Sequence, residues 1–306
     1  MSDPATDIDL PPVASLPTLV TPFDADETVD HDALSALAEW TIDRGVDGLV
    51  PCGTTGEFAS LTVAERRAVI ETTVEAADGR VPVVAGAGAT TAGDVREFIE
   101  DAAAVGADAA LVPSPYYHAA NDPAGNRLFY QRVADGSELP IYLYNIPACT
   151  GGPIALETVT ELAPHDAIHG IKDTSGDFSA VERFIGETPS SFRVFQGYDD
   201  HFVGAWVMGS NGGMNALAGV FPKAFRTLCD ALEAGDLGRA RAIQRHVLSP
   251  VFGACLDHGF APGAKVALQV RGMIDHATVR PPLVELGGKA RTDIADAVED
   301  ALAYLE

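Results

Sequence analysis

The sequence predicts an α/β fold, a (β/α)8 TIM barrel with a small C-terminal helical appendage, and three observations predict it. Eight short apolar runs between residues 15 and 219 alternate with longer amphipathic stretches. The runs are apolar almost throughout rather than at every second position, as in parallel strands covered on both faces. After Gly219 only helical periodicity remains.

In chain order, residues 1–12, "MSDPATDIDLPP", are polar and proline-rich and read as a loose N-terminal arm. The barrel is expected over 13–235. Its strands are read in "SLPTLVTPF" (15–23), "DGLVPCGTT" (47–55), "VPVVAGAG" (81–88), "AALVPSPYY" (109–117), "PIYLYNIP" (140–147), "IHGIKDTS" (168–175), "FRVFQGYD" (192–199) and "GGMNALAG" (212–219). Between them lie helical patterns such as 30–45, 62–77 and 91–106, which open near Asp or Thr and close near Ala or Gly. Eight such units in about 220 residues match the barrel. The later helices are read at 221–235, 237–257, 262–276 and 291–305. The first closes the barrel and the others form a C-terminal helical segment, 236–306. No repeat beyond the βα unit and no low-complexity segment is present.

Composition narrows the function. Acidic residues outnumber basic ones 44 to 20, for a formal charge of −24, and only four of the basic residues are lysines. Nucleic acid and anionic membranes would be repelled. The carboxylates are dispersed along the chain, which suits a hydrated surface in a salt-rich, halophilic cytoplasm, where repulsion is screened. Cys52, Cys149, Cys229 and Cys255 form no CxxC pair and read as free thiols in a reducing compartment. No run reaches the roughly 18 apolar residues of a membrane span, and the first residues carry no leader pattern, so a soluble cytoplasmic protein is expected.

In this fold chemistry gathers at the C-terminal ends of the strands. Those ends, "CGTTGE", "PSPYY", "YNIPACTGG", "KDTSGD", "QGYDD" and "NGGMNALAG", are rich in Thr, Tyr and Gly and poor in metal ligands. "HDAIH" (165–169) and "YDDH" (198–201) read as structural or solvated, and no metal is expected. "GAGATTAG" (86–93) lacks the spacing of a dinucleotide fingerprint, and "CGTTGE" lacks the Lys-Ser/Thr of a phosphate loop.

What remains is Lys172, within the apolar run "IHGIKDTS". Burial penalises its ammonium and lowers its pKa, which makes it a nucleophile toward a carbonyl carbon. The bland reading, an interior ion pair with Asp173 or Glu57, stands beside this one. Lys223 and Lys265 lie near helix starts and Lys289 in a glycine turn, so Lys172 is the candidate amine. Imine chemistry needs a proton shuttle. Tyr144 ends the preceding strand, Thr54 and Thr55 lie in a tight turn suited to a carboxylate, and Tyr117 ends the fourth run.

These motifs, "GTTGE" (53–57), "PYY" (115–117), "YNIP" (144–147), "GIKDTSGD" (170–177) and "GGMNALAG" (212–219), occur in this order, and the chain over about residues 13–300 resembles the pyruvate-dependent class I aldolase family. That family includes dihydrodipicolinate synthase and N-acetylneuraminate lyase. The resemblance implies that Lys172 forms an imine with pyruvate and that Tyr144 donates and accepts protons. Thr54 and Tyr117 would complete the relay, Tyr117 by reaching into a neighbouring subunit. Thr55, with backbone N–H groups of the turn that contains Gly53, would hold the pyruvate carboxylate, and Gly197 and Met214 would line the pocket. It further implies a homotetramer acting on a small-molecule substrate, with no cofactor beyond the lysine imine.

For the second substrate, Cys149 is informative. Family members that make dihydrodipicolinate usually carry an arginine at that place, and losing it would leave the carboxylate of aspartate semialdehyde unpaired, at about 2–5 kcal/mol if buried. "NIPA" is instead similar to sugar-acid aldolases. "GTTGE" differs from the "GSTGE" of neuraminate lyases. The expectation is therefore reversible cleavage of a 2-keto-3-deoxy sugar acid, 2-keto-3-deoxygluconate or its 6-phosphate, to pyruvate and glyceraldehyde or its phosphate. The alternatives are 4-hydroxy-tetrahydrodipicolinate synthase and, in another class, a non-catalytic barrel that binds a 2-keto acid. Arg127 is the obvious cation near the 116–127 loop for a phosphate.

Overall fold

The first helices start where a side chain can cap them. Asp30, Thr62 and Thr91 accept hydrogen bonds from the N–H groups of Ala33, Glu65 and Asp94, and helices α1 (His31–Ile42), α2 (Val63–Ala77) and α3 (Ala92–Ala104) follow. Glu65 returns the bond to the Thr62 N–H at 2.8 Å, completing a capping box. The structure, a computed structural model, describes residues 8–118 and 122–306.

Seven strands form one parallel sheet: β1 (Ala14–Pro17), β2 (Val84–Gly86), β3 (Ala109–Pro113), β4 (Ile141–Asn145), β5 (Ile168–Asp173), β6 (Arg193–Gln196) and β7 (Gly212–Asn215), in the order β1-β7-β6-β5-β4-β3-β2. Helices α4 (Pro123–Ala134), α5 (Pro147–Thr150), α6 (Leu156–Leu162), α7 (Phe178–Glu187), α8 (Phe202–Met208), α9 (Leu217–Val220) and α10 (Pro222–Glu233) complete the βα alternation. Beyond them α11 (Leu237–Ile243), α12 (Ser249–His258), α13 (Phe260–Val270) and α14 (Gly288–Leu305) form the C-terminal helical segment, with α12, α13 and α14 packed on one another.

The expected eighth strand is not formed. In the run 47–55, Leu49 and Val50 make only isolated bridges, Val50 to Thr18 and Leu49 to Val83. Val50 N–H donates to Pro17 O and Val84 N–H donates to Leu49 O, at 2.9 and 2.8 Å. Pro51 has no N–H to donate, although its carbonyl still accepts the Gly86 N–H at 3.0 Å, and Cys52 then turns into the left-handed region at φ 55°, where the extended segment ends. The result is a curled, TIM-barrel-like sheet whose edges β1 and β2 meet across this short segment.

Successive side chains along each strand part to opposite faces. Ile141, Leu143, Ile168, Ile171 and Val194 pack outward beneath the helices, while Tyr142, Tyr144, Phe195 and Met214 turn into the barrel. Gly170 leaves room for the Tyr142 ring, since a Cβ there would sit 2.9 Å from the ring edge and 2.3 Å from Arg193 O. Residues 8–12 have no helix or strand, yet Ile8 and Leu10 are buried with the interior cluster, so the arm read at 1–12 contains two anchored side chains. Its residues 1–7 lie outside the described residues. Among the described residues, no helix is long and apolar enough to cross a membrane.

Candidate active site

β4 and β5 pair in a register that sets Tyr144 beside Lys172 and Asn145 beside Asp173. The second pair fixes the strand ends. Asn145 Nδ2 donates to Asp173 Oδ2 at 2.5 Å, Asn145 Oδ1 accepts from Ile154 N–H, and Asp173 Oδ1 accepts from the N–H and hydroxyl of Ser175. With these polar groups satisfied among themselves, the neighbouring Tyr144 and Lys172 are held facing the barrel interior.

Lys172 is 4% exposed, and its Nζ lies 4.4 Å from the centroid of the Tyr144 ring. Burial lowers its pKa to about 7, against the opposing field of Asp199. Neither carboxylate named in the bland reading is its partner. Glu57 pairs with Lys265, and Asp173 is engaged by Asn145 and Ser175. Asp199 is itself buried, which raises its carboxyl to about 7, and its Oδ1 accepts the Leu217 N–H at 2.8 Å.

Gly197 supplies space rather than contact. A Cβ at that position would fall 2.0 Å from Thr174 Oγ1 and 2.9 Å from Lys172 Cε, so a larger residue would push the lysine aside.

Opposite the lysine is the "GTTGE" turn. Thr54 Oγ1 lies 3.3 Å from the Tyr144 hydroxyl, and Thr18 Oγ1 donates to Thr55 Oγ1 at 3.2 Å. The turn rests on β2 so closely that a Cβ on Gly86 would meet Cys52 O at 1.9 Å. Burial raises the Tyr144 phenol to about 12, partly offset by hydrogen bonds from Thr54 and Thr174. At neutral pH it therefore keeps its proton, with the Thr54 hydroxyl within hydrogen-bond reach.

These groups line a cavity of about 180 Å³. Thr54, Thr55, Tyr144, Cys149, Lys172 and Gly197 all reach it, as do Thr18, Thr174 and Tyr198, with Phe252, Leu256 and Phe260 closing it from α12 and α13. Three other residues singled out from the sequence do not line it. Gly53 lies in the backbone of the turn, Met214 is packed in the barrel interior, and Tyr117 is 88% exposed with φ 79°. Arg127 forms an ion pair with Glu161.

Thr174 and Asp199 stand in the quoted strand-end motifs and were readable there as polar groups next to Lys172. Nothing in the sequence pointed to Phe252, Leu256 or Phe260, which come from helices beyond the barrel. His201 stacks on Phe178 and Tyr198, and His165 faces Asp135 at 3.3 Å. Among the described residues, no three His, Cys, Asp or Glu side chains gather as metal ligands.

An amine near neutrality, a phenol beside it and paired threonine hydroxyls form the equipment of imine chemistry. Residues 12–301 match the model of the Dihydrodipicolinate synthetase family. The chain belongs to this family. It is accordingly an enzyme, a carbon–carbon lyase of the pyruvate-aldolase kind.

The chain is 34% identical over 289 residues to the 4-hydroxy-tetrahydrodipicolinate synthase of Ralstonia nicotianae, covering 94% of this chain and 97% of the relative. It is 39% identical over 274 residues to that of Acidithiobacillus ferrooxidans, covering 89% and 92%. The solved dihydrodipicolinate synthase of Acinetobacter baumannii, chloride-inhibited and complexed with pyruvate, superposes with a TM-score of 0.90 at 31% identity, over 94% of this chain and 98% of that one. These relatives overturn the expectation of a 2-keto-3-deoxy sugar acid aldolase drawn from Cys149. One substituted position in the second-substrate region weighed less than likeness to synthases along nearly the whole chain.

Proposed function

We propose that the chain is a 4-hydroxy-tetrahydrodipicolinate synthase, joining pyruvate to aspartate semialdehyde through an imine on Lys172. One observation supports the chemistry: the in-register Tyr144–Lys172 pair, with the amine buried, its pKa near 7 and, among the described residues, neither Glu57 nor Asp173 paired with it. The second substrate is inferred from the likeness to 4-hydroxy-tetrahydrodipicolinate synthases.

In this reading the Lys172 amine attacks the keto carbon of pyruvate, and Tyr144 protonates the departing hydroxyl as water. Thr55 and the turn's N–H groups hold the pyruvate carboxylate. Loss of a methyl proton gives an enamine, which attacks the aldehyde carbon while a proton returns through Tyr144 to the new hydroxyl. The amino group of the condensed semialdehyde then displaces the Lys172 nitrogen from the former keto carbon, closing the ring and restoring the enzyme. No cofactor beyond the lysine imine is required. We further infer a homotetramer in which the outward-pointing Tyr117 enters a neighbouring subunit's site and extends the relay. Gly53 and Met214 act in this reading through the turn backbone and the packing beneath the pocket.

Borohydride reduction in the presence of pyruvate, followed by peptide mass mapping, tests the covalent step, and an adduct is expected on Lys172. Pyruvate-dependent consumption of aspartate semialdehyde tests the second substrate. Adduct formation without that consumption would overturn the choice of semialdehyde while leaving the imine in place.

A further inference from the structure

A second lysine is even more deeply buried than Lys172. Lys265, on α13, is fully buried; its Nζ lies 2.5 Å from Glu57 Oε1, donates to Thr278 O at 2.7 Å and sits 3.9 Å from the Phe23 ring centroid. Glu57 is the last residue of the "GTTGE" turn. Its other oxygen, Oε2, accepts the Arg280 N–H at 3.2 Å. The Arg280 side chain then grips the chain just beyond the turn, donating to Ser60 O and, with two nitrogens, to both oxygens of Glu65.

Two facts make this more than packing. A buried ion pair seldom stabilises a fold better than an apolar pair of the same shape, so stability alone gives little reason for it. The turn it holds is also strained at both ends. Cys52 and Glu57, neither of them glycine, adopt φ of 55°, a conformation that persists only where the surroundings enforce it. Thr54 and Thr55 lie between those residues and take their direction from them.

We propose that the Glu57–Lys265 pair is a positioning device, by which the C-terminal helical segment sets the hydroxyls of Thr54 and Thr55 against bound pyruvate. The proposal rests on the imine reading of Lys172 given above. Neither Glu57 nor Lys265 touches the substrate; they act through the turn.

The test is the double variant Glu57→Gln/Lys265→Met, which removes both charges at nearly constant shape and leaves no lone buried ion. We expect it to fold with an urea midpoint near that of the wild type and to retain the borohydride adduct on Lys172. Its KM for pyruvate should rise and its kcat fall, each by roughly tenfold, as misoriented hydroxyls require. In a Thr55→Val background the same pair of substitutions should add less than about twofold to KM, because the group being positioned is already gone. Wild-type kcat and KM in the folded double variant, or losses that multiply fully with Thr55→Val, would overturn the proposal.

Glu57→Asp keeps the charge and shortens its reach by one methylene, and it decides the matter if the double variant does not fold. A raised pyruvate KM supports the device, and unchanged kinetics overturns it. Wild-type protein that yields no adduct sinks the imine reading itself; adducts throughout with unaltered kinetics sink only the positioning role.

Discussion

The end of β5 and the middle of α13 each bury a lysine against an aromatic ring, and the surroundings of the two differ. Lys172 faces an open cavity, its ring neighbour is a phenol, and the charge of Asp199 is felt as a field. Lys265 is fully buried, its ring neighbour is Phe23, and Glu57 is ion-paired to it at 2.5 Å. Burial lowers both pKa values, to about 7 and about 8. A displaced pKa therefore does not make a nucleophile; an approach path and a proton carrier do.

The contrast breaks most sharply at the amine. Lys172→Arg should lower kcat by at least about 10³-fold and abolish the borohydride adduct, because a guanidinium forms no imine. A Lys265→Met protein should still give the adduct. If the adduct follows Lys265 instead, the assignment of the two sites is reversed.

Stability should separate the two lysines in sign. Lys265→Met leaves Glu57 charged, buried and unpaired, at a cost of about 3–5 kcal/mol by urea unfolding. Lys172→Met should stabilise the protein at neutral pH. The folded pKa of Lys172 lies below its ordinary 10.5, so the lysine costs stability as pH falls from 10.5, and the cost is complete below about 7. Equal losses from both substitutions would refute the distinction.

Tyr144→Phe makes the ring beside Lys172 resemble the one beside Lys265. It should reduce kcat by roughly 10²-fold, with adduct formation slowed but not lost. Cys149→Arg supplies the forked cation that the family resemblance leads one to expect at this place, and should lower the KM for aspartate semialdehyde by about tenfold while leaving that for pyruvate unchanged. The smallest effect concerns pH. The acid limb of kcat/KM for pyruvate should have its midpoint near 7, and Asp199→Asn should move it to lower pH, since the carboxylate's field helps Lys172 hold its proton. A limb that shifts to higher pH would show that Asp199 acts in some other way.

Much of this was legible in the sequence because strand ends and helix caps are local. Asp30, Thr62 and Thr91 announce their helices by side-chain chemistry alone, and an apolar run carrying one lysine marks a strand with an expensive charge. The register that sets Tyr144 against Lys172 follows once β4 and β5 are adjacent. What could not be read was long-range. The true partner of Glu57 is 208 positions further along the chain, at Lys265, and the aromatic wall of the cavity comes from helices whose apolar stripes look like any other core face. The eighth strand failed for a reason visible locally, the proline at position 51, but the apolar pattern of 47–55 masked it. The sugar-acid expectation failed because a single position, Cys149, was made to stand for a whole subsite.

That missing strand has a mechanical consequence. A fully laddered barrel has no weak side, whereas here β1 and β2 are joined through the short segment 47–51, held by separate backbone bonds such as Asp47 N–H to Ser15 O and Gly86 N–H to Pro51 O and by two isolated bridges, so the cylinder has a seam. Transient opening should begin at that line, and the amides of Val50 and Val84 should exchange with deuterium sooner than those of β4 and β5. Because the seam runs straight into the turn bearing the two threonines, the part of the molecule proposed to hold the keto acid should also be the first to open.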